Sequence, residues 1–241
     1  MIHRFDTIDS TMYEAVRLAE AGCPHLTAVV AGEQTAGHGR YGRPWHSVKG
    51  DGLYVSVVLR LAIEPAQLPA VTLALGVATA EAIAHTAGVA CDLRWPNDVL
   101  AGGKKCAGIL TELHGRAIVA GIGVNCNHQS FPEELRDIAT SLRLATGRAV
   151  DREALLEALL RHIGETVSLF EQQGPEAVLR LFESASSYAR GKRVVVELPE
   201  GEVEGVTEGL DRSGFLLLRR DNGERITILA GGVRPARTSC S

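Results

Sequence analysis

Past Gly191 this chain changes character, and that change constrains its fold more than any other feature. Lys192–Leu198, Glu202–Glu208, Phe215–Arg220 and Arg225–Leu229 read as short strands. Between them lie Pro199-Glu200-Gly201, Asp211–Gly214 and Asp221-Asn222-Gly223. Such segments turn the chain tightly, because glycine accepts positive φ and Asn or Asp bonds its own backbone. Four or five short strands in about 50 residues predict a small β-barrel, SH3-like in size.

Before Gly191, helices and strands mix without strict βαβ alternation. Thr11 is expected to cap a helix over Met12–Ala21, with Glu14 as its capping-box partner and Gly22 as its stop. Pro69 opens an apolar helix that ends near Gly88. Glu81 and His85 interrupt that apolar stretch, so it reads as a buried helix and not a membrane span. Asp151 caps an amphipathic helix whose Leu155, Leu159, Ile163 and Val167 share a face. Gly174-Pro175 stops it and starts another helix, expected to end near Gly191. Strand-like runs fall at Thr27–Gln34, Leu53–Leu61, Val89–Trp95, Cys106–Leu113 and Ala117–Val124. The fold class expected is α+β: a mixed β-sheet covered mainly on one face over residues 1–189, then the small barrel over 190–241.

The function classes are narrowed by charge and cysteine usage. Lys+Arg of 25 against Asp+Glu of 29 gives a formal net charge of −4, which argues against general affinity for nucleic acid or anionic membrane. No basic segment followed by an apolar one opens the chain, so a cytoplasmic location is expected. Cys23, Cys91, Cys106, Cys126 and Cys240 are scattered, without zinc-ligand spacing, as reduced thiols would be. Cys106, beside Lys104 and Lys105, has the surroundings that most favour thiol reactivity. A strand such as Ala117–Val124, if it lies at a sheet edge, could pair two copies as a homodimer; the sequence leaves that open.

Residues 37–45 carry the strongest chemical signal: Gly-His-Gly-Arg-Tyr-Gly-Arg-Pro-Trp. Glycines let backbone approach a ligand closely. Arg40 and Arg43 supply fixed positive charge with planar forks suited to carboxylate and phosphate oxygens, and Trp45 closes the segment with a flat surface. The spacing matches neither a P-loop nor a dinucleotide fingerprint. A basic anion-binding lid fits it, and so does a mobile surface loop with solvated arginines. Arg94-Trp95-Pro96-Asn97-Asp98, Lys104–Leu110 and Gly121–Asn125 are further segments at strand ends or in strands. Each alone reads equally as a turn, a charged strand entrance or a glycine-relieved strand. Asp9-Ser10-Thr11 alone is an ordinary helix start.

Together these segments match one family in order and approximate spacing. The chain resembles the biotin–protein ligases over essentially its whole length. The resemblance is carried by Gly37–Trp45, by Trp95–Asp98, by Lys105–Leu110 as Lys-x-Ala-Gly-Ile-Leu, and by Asp9-Ser10-Thr11, Gln34 and Gly121–Asn125. It implies a catalytic domain related to class II aminoacyl-tRNA synthetases followed by the SH3-like module. It also implies that biotin and ATP form biotinyl-5′-AMP, with Mg²⁺ on the phosphates. A lysine of a biotin carboxyl carrier protein domain would then attack that adenylate. Asp9-Ser10-Thr11 begins too early to leave room for the N-terminal DNA-binding module that some members carry, so the monofunctional kind is expected.

By the same resemblance, Lys105, Arg40 and Asp98 are the catalytic candidates. Ser10, Thr11, Gln34, His38, Gly39, Arg40, Lys105 and Gly108 would bind biotin, the first three facing its neutral ureido group. Arg40, Arg43, Trp45, Asn97, Lys105 and Asn125 would bind ATP. Residues of the chain are not expected to ligate a metal themselves. Three positions depart from the family pattern: His38 for arginine, Met12 for asparagine and Arg94 for lysine. An imidazole is largely neutral at pH 7, so the first weakens a charge contact, and the second removes a polar one. Rival readings are a lipoate–protein ligase, a non-catalytic sensor of biotin or its adenylate, and a DNA-binding regulator. Intact Lys105 and Arg40 favour catalysis over sensing.

Overall fold

The computed structural model describes residues 1–198 and 201–236. Pro199, Glu200 and Cys240, singled out above, lie outside the described residues. The first part is a seven-stranded mixed sheet in the order β1-β2-β3-β7-β6-β5-β4. Its strands are β1 (Ile2–Phe5), β2 (Thr27–Ala31), β3 (Gly52–Leu59), β4 (Asp92–Arg94), β5 (Asp98–Ala101), β6 (Lys104–His114) and β7 (Ala117–Asn125). β1 and β2 run parallel, and the other neighbours are antiparallel.

Every residue of β2 and β3 is buried, which requires cover on both faces of the sheet's centre. One face carries α2 (Leu68–Ala87), α4 (Arg152–Gln173) and α5 (Pro175–Ser184) in a single large apolar core. Leu155, Leu159, Ile163 and Val167 of α4 all point into it. The short α3 (Leu142–Thr146) contributes the buried Leu142. On the other face, α1 (Thr11–Glu20) lays Met12, Ala15 and Ala19 on Val29, Val58 and Val119. Cover is thus heavier on one side. α2 is long and apolar enough to cross a membrane by composition, yet in the fold it is a core helix, apolar nearly all round because the sheet, α4 and α5 surround it.

A second, five-stranded antiparallel sheet follows, in the order β11-β10-β9-β8-β12. Its strands are β8 (Arg190–Leu198), β9 (Gly201–Leu210), β10 (Leu216–Arg219), β11 (Arg225–Ile228) and β12 (Gly232–Pro235). It joins the first part through Trp95, whose indole N–H donates to Gly214 O at 3.0 Å.

Several local expectations need correction. The cap of α1 is Ser10, whose hydroxyl accepts from Met12 N, and Glu14 pairs forward with Arg17 at 2.6 Å instead of reaching back. Leaving the strand after Ala31, where the expected run continued to Gln34, frees the Gln34 side chain for α1. α5 stops at Ser184, because the chain must turn to enter β8 at Arg190. β7 lies between β3 and β6, with both edges hydrogen-bonded, so it cannot pair two copies. Cys106 is fully buried. The neighbouring Cys91 thiol and burial hold its thiol, which donates to Val99 O, well above its ordinary range, so the lysines beside it in sequence do not activate it.

Candidate active site

A cleft of about 1140 Å³ opens on the α1 side of the sheet, between the Gly37–Trp45 loop and the second sheet. Ser10, Thr11, Gln34, His38, Gly39, Arg40, Arg43, Trp45, Asn97, Asp98, Lys105, Gly108 and Asn125 all line it. These residues come from distant parts of the chain, and antiparallel pairing of β5, β6 and β7 brings the last five together.

The floor is glycine. Gly108 on β6 faces Gly123 on β7 in register, beside Gly121. A Cβ on Gly123 would lie 2.5 Å from the Trp45 ring, and one on Gly108 would lie 2.9 Å from Lys105 Cε and 3.0 Å from Trp45. The absence of side chains therefore lets the indole lie flat on the strands. The Trp45 N–H is buried without a protein partner among the described residues. At the closed end, a Gly121 Cβ would meet Met12 Sδ at 2.7 Å. Met12 thus acts as an apolar wedge between α1 and β7, at a position where a polar contact was expected to be missing.

Gln34 organises the same end. Its Oε1 accepts from Thr11 N at 2.8 Å and from the Thr11 hydroxyl at 2.9 Å, which orients Nε2 as the free donor. The Thr11 hydroxyl also bonds Ser56 Oγ at 2.8 Å, deep in β3. Sequence reasoning missed Ser56, although a lone serine inside the apolar run Leu53–Leu59 was a visible signal. Thr11 therefore positions Gln34, and its own N–H is not free for a ligand.

At the other end stands a charge cluster. Lys105 Nζ lies 2.5 Å from Asp98 Oδ1 and 5.4 Å from the Trp45 ring centre. Arg94 holds Asp98 Oδ2 through Nη2 at 2.7 Å and Nε at 3.3 Å. Burial pushes the Asp98 carboxyl up, but the charges and hydrogen bonds of Lys105 and Arg94 outweigh it and hold the group below the usual carboxylate range. Asn97 and Asn125 are braces as well as lining: Asn97 Nδ2 donates to Ile109 O and Asn125 Nδ2 to Thr140 O. Each thus has one N–H committed, leaving its second N–H and its amide oxygen for the cleft.

The loop above this floor is tied to the second sheet. Arg40 donates to Gly231 O at 3.0 Å, and Arg43 approaches Glu197 at 3.9 Å. Within the loop, Gly39 N bonds Arg43 O and Trp45 N bonds Gly37 O. Tyr41 sits at φ +60° in the left-handed region, a strained position for a tyrosine. His38 stacks obliquely on Tyr13 with ring centres 5.3 Å apart. Glu197, Gly231 and Arg234, which the sequence did not single out, line the cleft from the second sheet.

Residues 4–128 match the Biotin/lipoate A/B protein ligase family, and residues 190–233 match the Biotin protein ligase C terminal domain. The chain belongs to the biotin protein ligase family. Among these ligases, the chain is 34% identical to the biotin–[acetyl-CoA-carboxylase] ligase of Paracoccus denitrificans, over 90% of this chain and 94% of that protein. It is 39% identical to the bifunctional ligase/repressor BirA of Bacillus spizizenii, over 90% of this chain and 69% of that one. A solved biotin protein ligase from Aquifex aeolicus, in complex with biotin and ATP, superposes with a TM-score of 0.85 at 34% identity and covers 98% of this chain and 99% of its own. This protein is accordingly a ligase of the biotin class, with a mixed-sheet domain and a C-terminal antiparallel sheet.

Proposed function

We propose that this ligase uses ATP to activate biotin as biotinyl-5′-AMP and then transfers biotin to a lysine of a biotin carboxyl carrier protein domain. One observation carries the reading: Lys105 stands at one end of a glycine-floored cleft, under an arginine-bearing loop, with the Gln34 amide donor at the other end. A neutral ureido head and an anionic carboxylate, joined by an apolar chain, match that layout from end to end. The Aquifex aeolicus relative, solved with biotin and ATP, supports the same pair of substrates.

Adenylation brings a carboxylate against the α-phosphate, two anions that repel. Lys105, Arg40 and Arg43 supply the compensating charge, with the Lys105 backbone fixed on a strand and its ammonium turning from Asp98 to the substrate oxygens. A biotin carboxylate oxygen bonds to phosphorus, and pyrophosphate leaves with the electron pair. Magnesium would be held by the ATP phosphates and not by side chains of the chain, and would there offset phosphate charge. Among the described residues no group of three His, Cys, Asp or Glu side chains is gathered, and both Asp98 oxygens are occupied by cations.

In the second step, once Lys105 has turned from Asp98 to the adenylate, the carrier ammonium gives a proton to the vacated Asp98 Oδ1. The amine lone pair forms the bond to the acyl carbon, the bond from that carbon to the phosphate oxygen breaks, and AMP leaves with the pair. The nitrogen's remaining surplus proton passes to solvent. Positioning accounts for most of this step, because the mixed anhydride is already activated. The loop over the floor keeps water from it.

The test is exchange of labelled pyrophosphate into ATP. Exchange that requires biotin establishes adenylation, and biotin on a carrier domain after ATP is added establishes transfer. Exchange supported by lipoate and not by biotin would overturn the substrate assignment.

A further inference from the structure

Asp98 is gripped from both sides, and the two grips differ. Lys105 takes Oδ1 from β6 with a flexible stem whose side chain is 30% exposed. Arg94 takes Oδ2 from β4 with two nitrogens of a planar fork, its own side chain only 19% exposed. Arg94 and Asp98 are also register partners across β4 and β5, so backbone pairing sets their spacing. Behind Arg94, the Tyr188 ring centre lies 6.0 Å from its guanidinium carbon and 5.5 Å from Lys192 Nζ.

We infer that Arg94 is a positioning residue for the transfer step: it holds Asp98 in place when Lys105 turns from Oδ1 to the adenylate, so that Oδ1 is vacated for the carrier lysine. The inference rests on the reading above. Oδ1 is closed while Lys105 occupies it, and it opens when the substrate carboxylate and phosphate, and then the adenylate they form, draw Lys105 away. A freed carboxylate with no second anchor would rotate, and the amine would meet it in many orientations. The same exchange makes Asp98 a better proton acceptor at the right moment. Burial favours its neutral form, and the departing Lys105 charge is what opposed that. The groups facing Asp98 are Arg94 and Lys105, with Lys192 and Tyr188 beyond Arg94.

The experiment separates the half-reactions in Arg94→Met and Arg94→Lys. Exchange of pyrophosphate reads adenylation. Transfer from preformed biotinyl-5′-AMP is read with a carrier domain and, separately, with hydroxylamine, which is largely neutral at pH 7 and has no proton to shed before attack. In Arg94→Met the ratio of carrier transfer to exchange is expected to fall at least about tenfold, the scale of a misplaced acid–base group. Transfer to hydroxylamine falls much less, the acid limb of the carrier pH profile moves to higher pH, and Arg94→Lys restores part of the loss. Equal losses in carrier transfer, hydroxylamine transfer and exchange would overturn the inference, as would an unmoved acid limb.

If Arg94→Met does not fold, a cycle of Arg94→Lys with Asp98→Asn decides the matter. Non-additive losses in carrier transfer support the inference, and independent, additive losses overturn it. Wild-type protein without biotin-dependent exchange would instead sink the proposed function, so the two failures are distinguishable.

Discussion

Gly108 and Gly123 face each other across β6 and β7, and their missing side chains form the bed on which the Trp45 indole lies. Gly123→Ala would put a methyl 2.5 Å from that ring, which must lift or tilt. Neither glycine has a positive φ, so the need is for space and not for backbone freedom. Overpacking of this kind costs about 1–3 kcal/mol. Titration calorimetry should find biotin affinity reduced at least about tenfold, with a smaller effect on urea unfolding. Unchanged affinity would show that Trp45 does not shape the acyl channel.

Lys105→Ala should lower biotin-dependent pyrophosphate exchange by about a hundredfold or more, the scale of a lost electrostatic stabiliser. Stability should fall by roughly 2 kcal/mol, as for a lost hydrogen bond to a charged group, since Arg94 still neutralises Asp98. Exchange within threefold of wild type would remove Lys105 from the chemistry.

Acid should loosen one wall of the cleft through His128. This imidazole is buried, stacked on Phe131 with ring centres 5.3 Å apart, and neither nitrogen has a hydrogen-bond partner among the described residues. Burial lowers its pKa below the ordinary 6.5. The folded state therefore binds fewer protons than the unfolded one between those two values, and stability falls as pH drops from about 6.5 toward the folded value. His128→Phe removes that titration. Urea midpoints at pH 7.5 and 5.5 should differ less in the variant than in wild type; an equal difference would assign the acid sensitivity elsewhere.

The Gly37–Arg43 loop is expected to be mobile without ligand and ordered over the adenylate. Arg40, followed by Tyr41, is a trypsin site, whereas Arg43 precedes Pro44 and is not; the loop's anchors are the Arg40 bond to Gly231 and the long Arg43 approach to Glu197. Cleavage after Arg40 should slow at least about tenfold in the presence of biotin and ATP, as local opening is suppressed. Glu197→Gln should speed cleavage after Arg40 in the free protein, because it releases the Arg43 anchor of the same loop. Equal cleavage with and without ligand would remove the lid role.

Elements set by local rules were legible. Pro69 and Gly88 bound α2 closely, and Asp151 caps α4 as expected, accepting from Glu153 N and Ala154 N. The short edge strands β1 and β12 were not anticipated, because their placement depends on distant partners, Ala28–Ala31 and Val194–Glu197. Among site residues, those in motifs were found. Ser56 was missed because its importance comes from meeting Thr11, 45 residues away.

By itself the sequence determined the two-part fold class, the limits of α2 and α4 and the residue types of an anion-compensating cleft. Periodicity, caps, turns and charge act over a few residues, so they can be read locally. Only the tertiary structure decided which groups are free and which are committed. Thr11 orients Gln34, Asn97 and Asn125 brace backbone carbonyls, Met12 packs against Gly121, and Asp98 has a cation on each oxygen. A hydrogen-bond donor or carboxylate oxygen is a group of limited capacity, and what remains for a substrate depends on neighbours that register and packing bring from far along the chain.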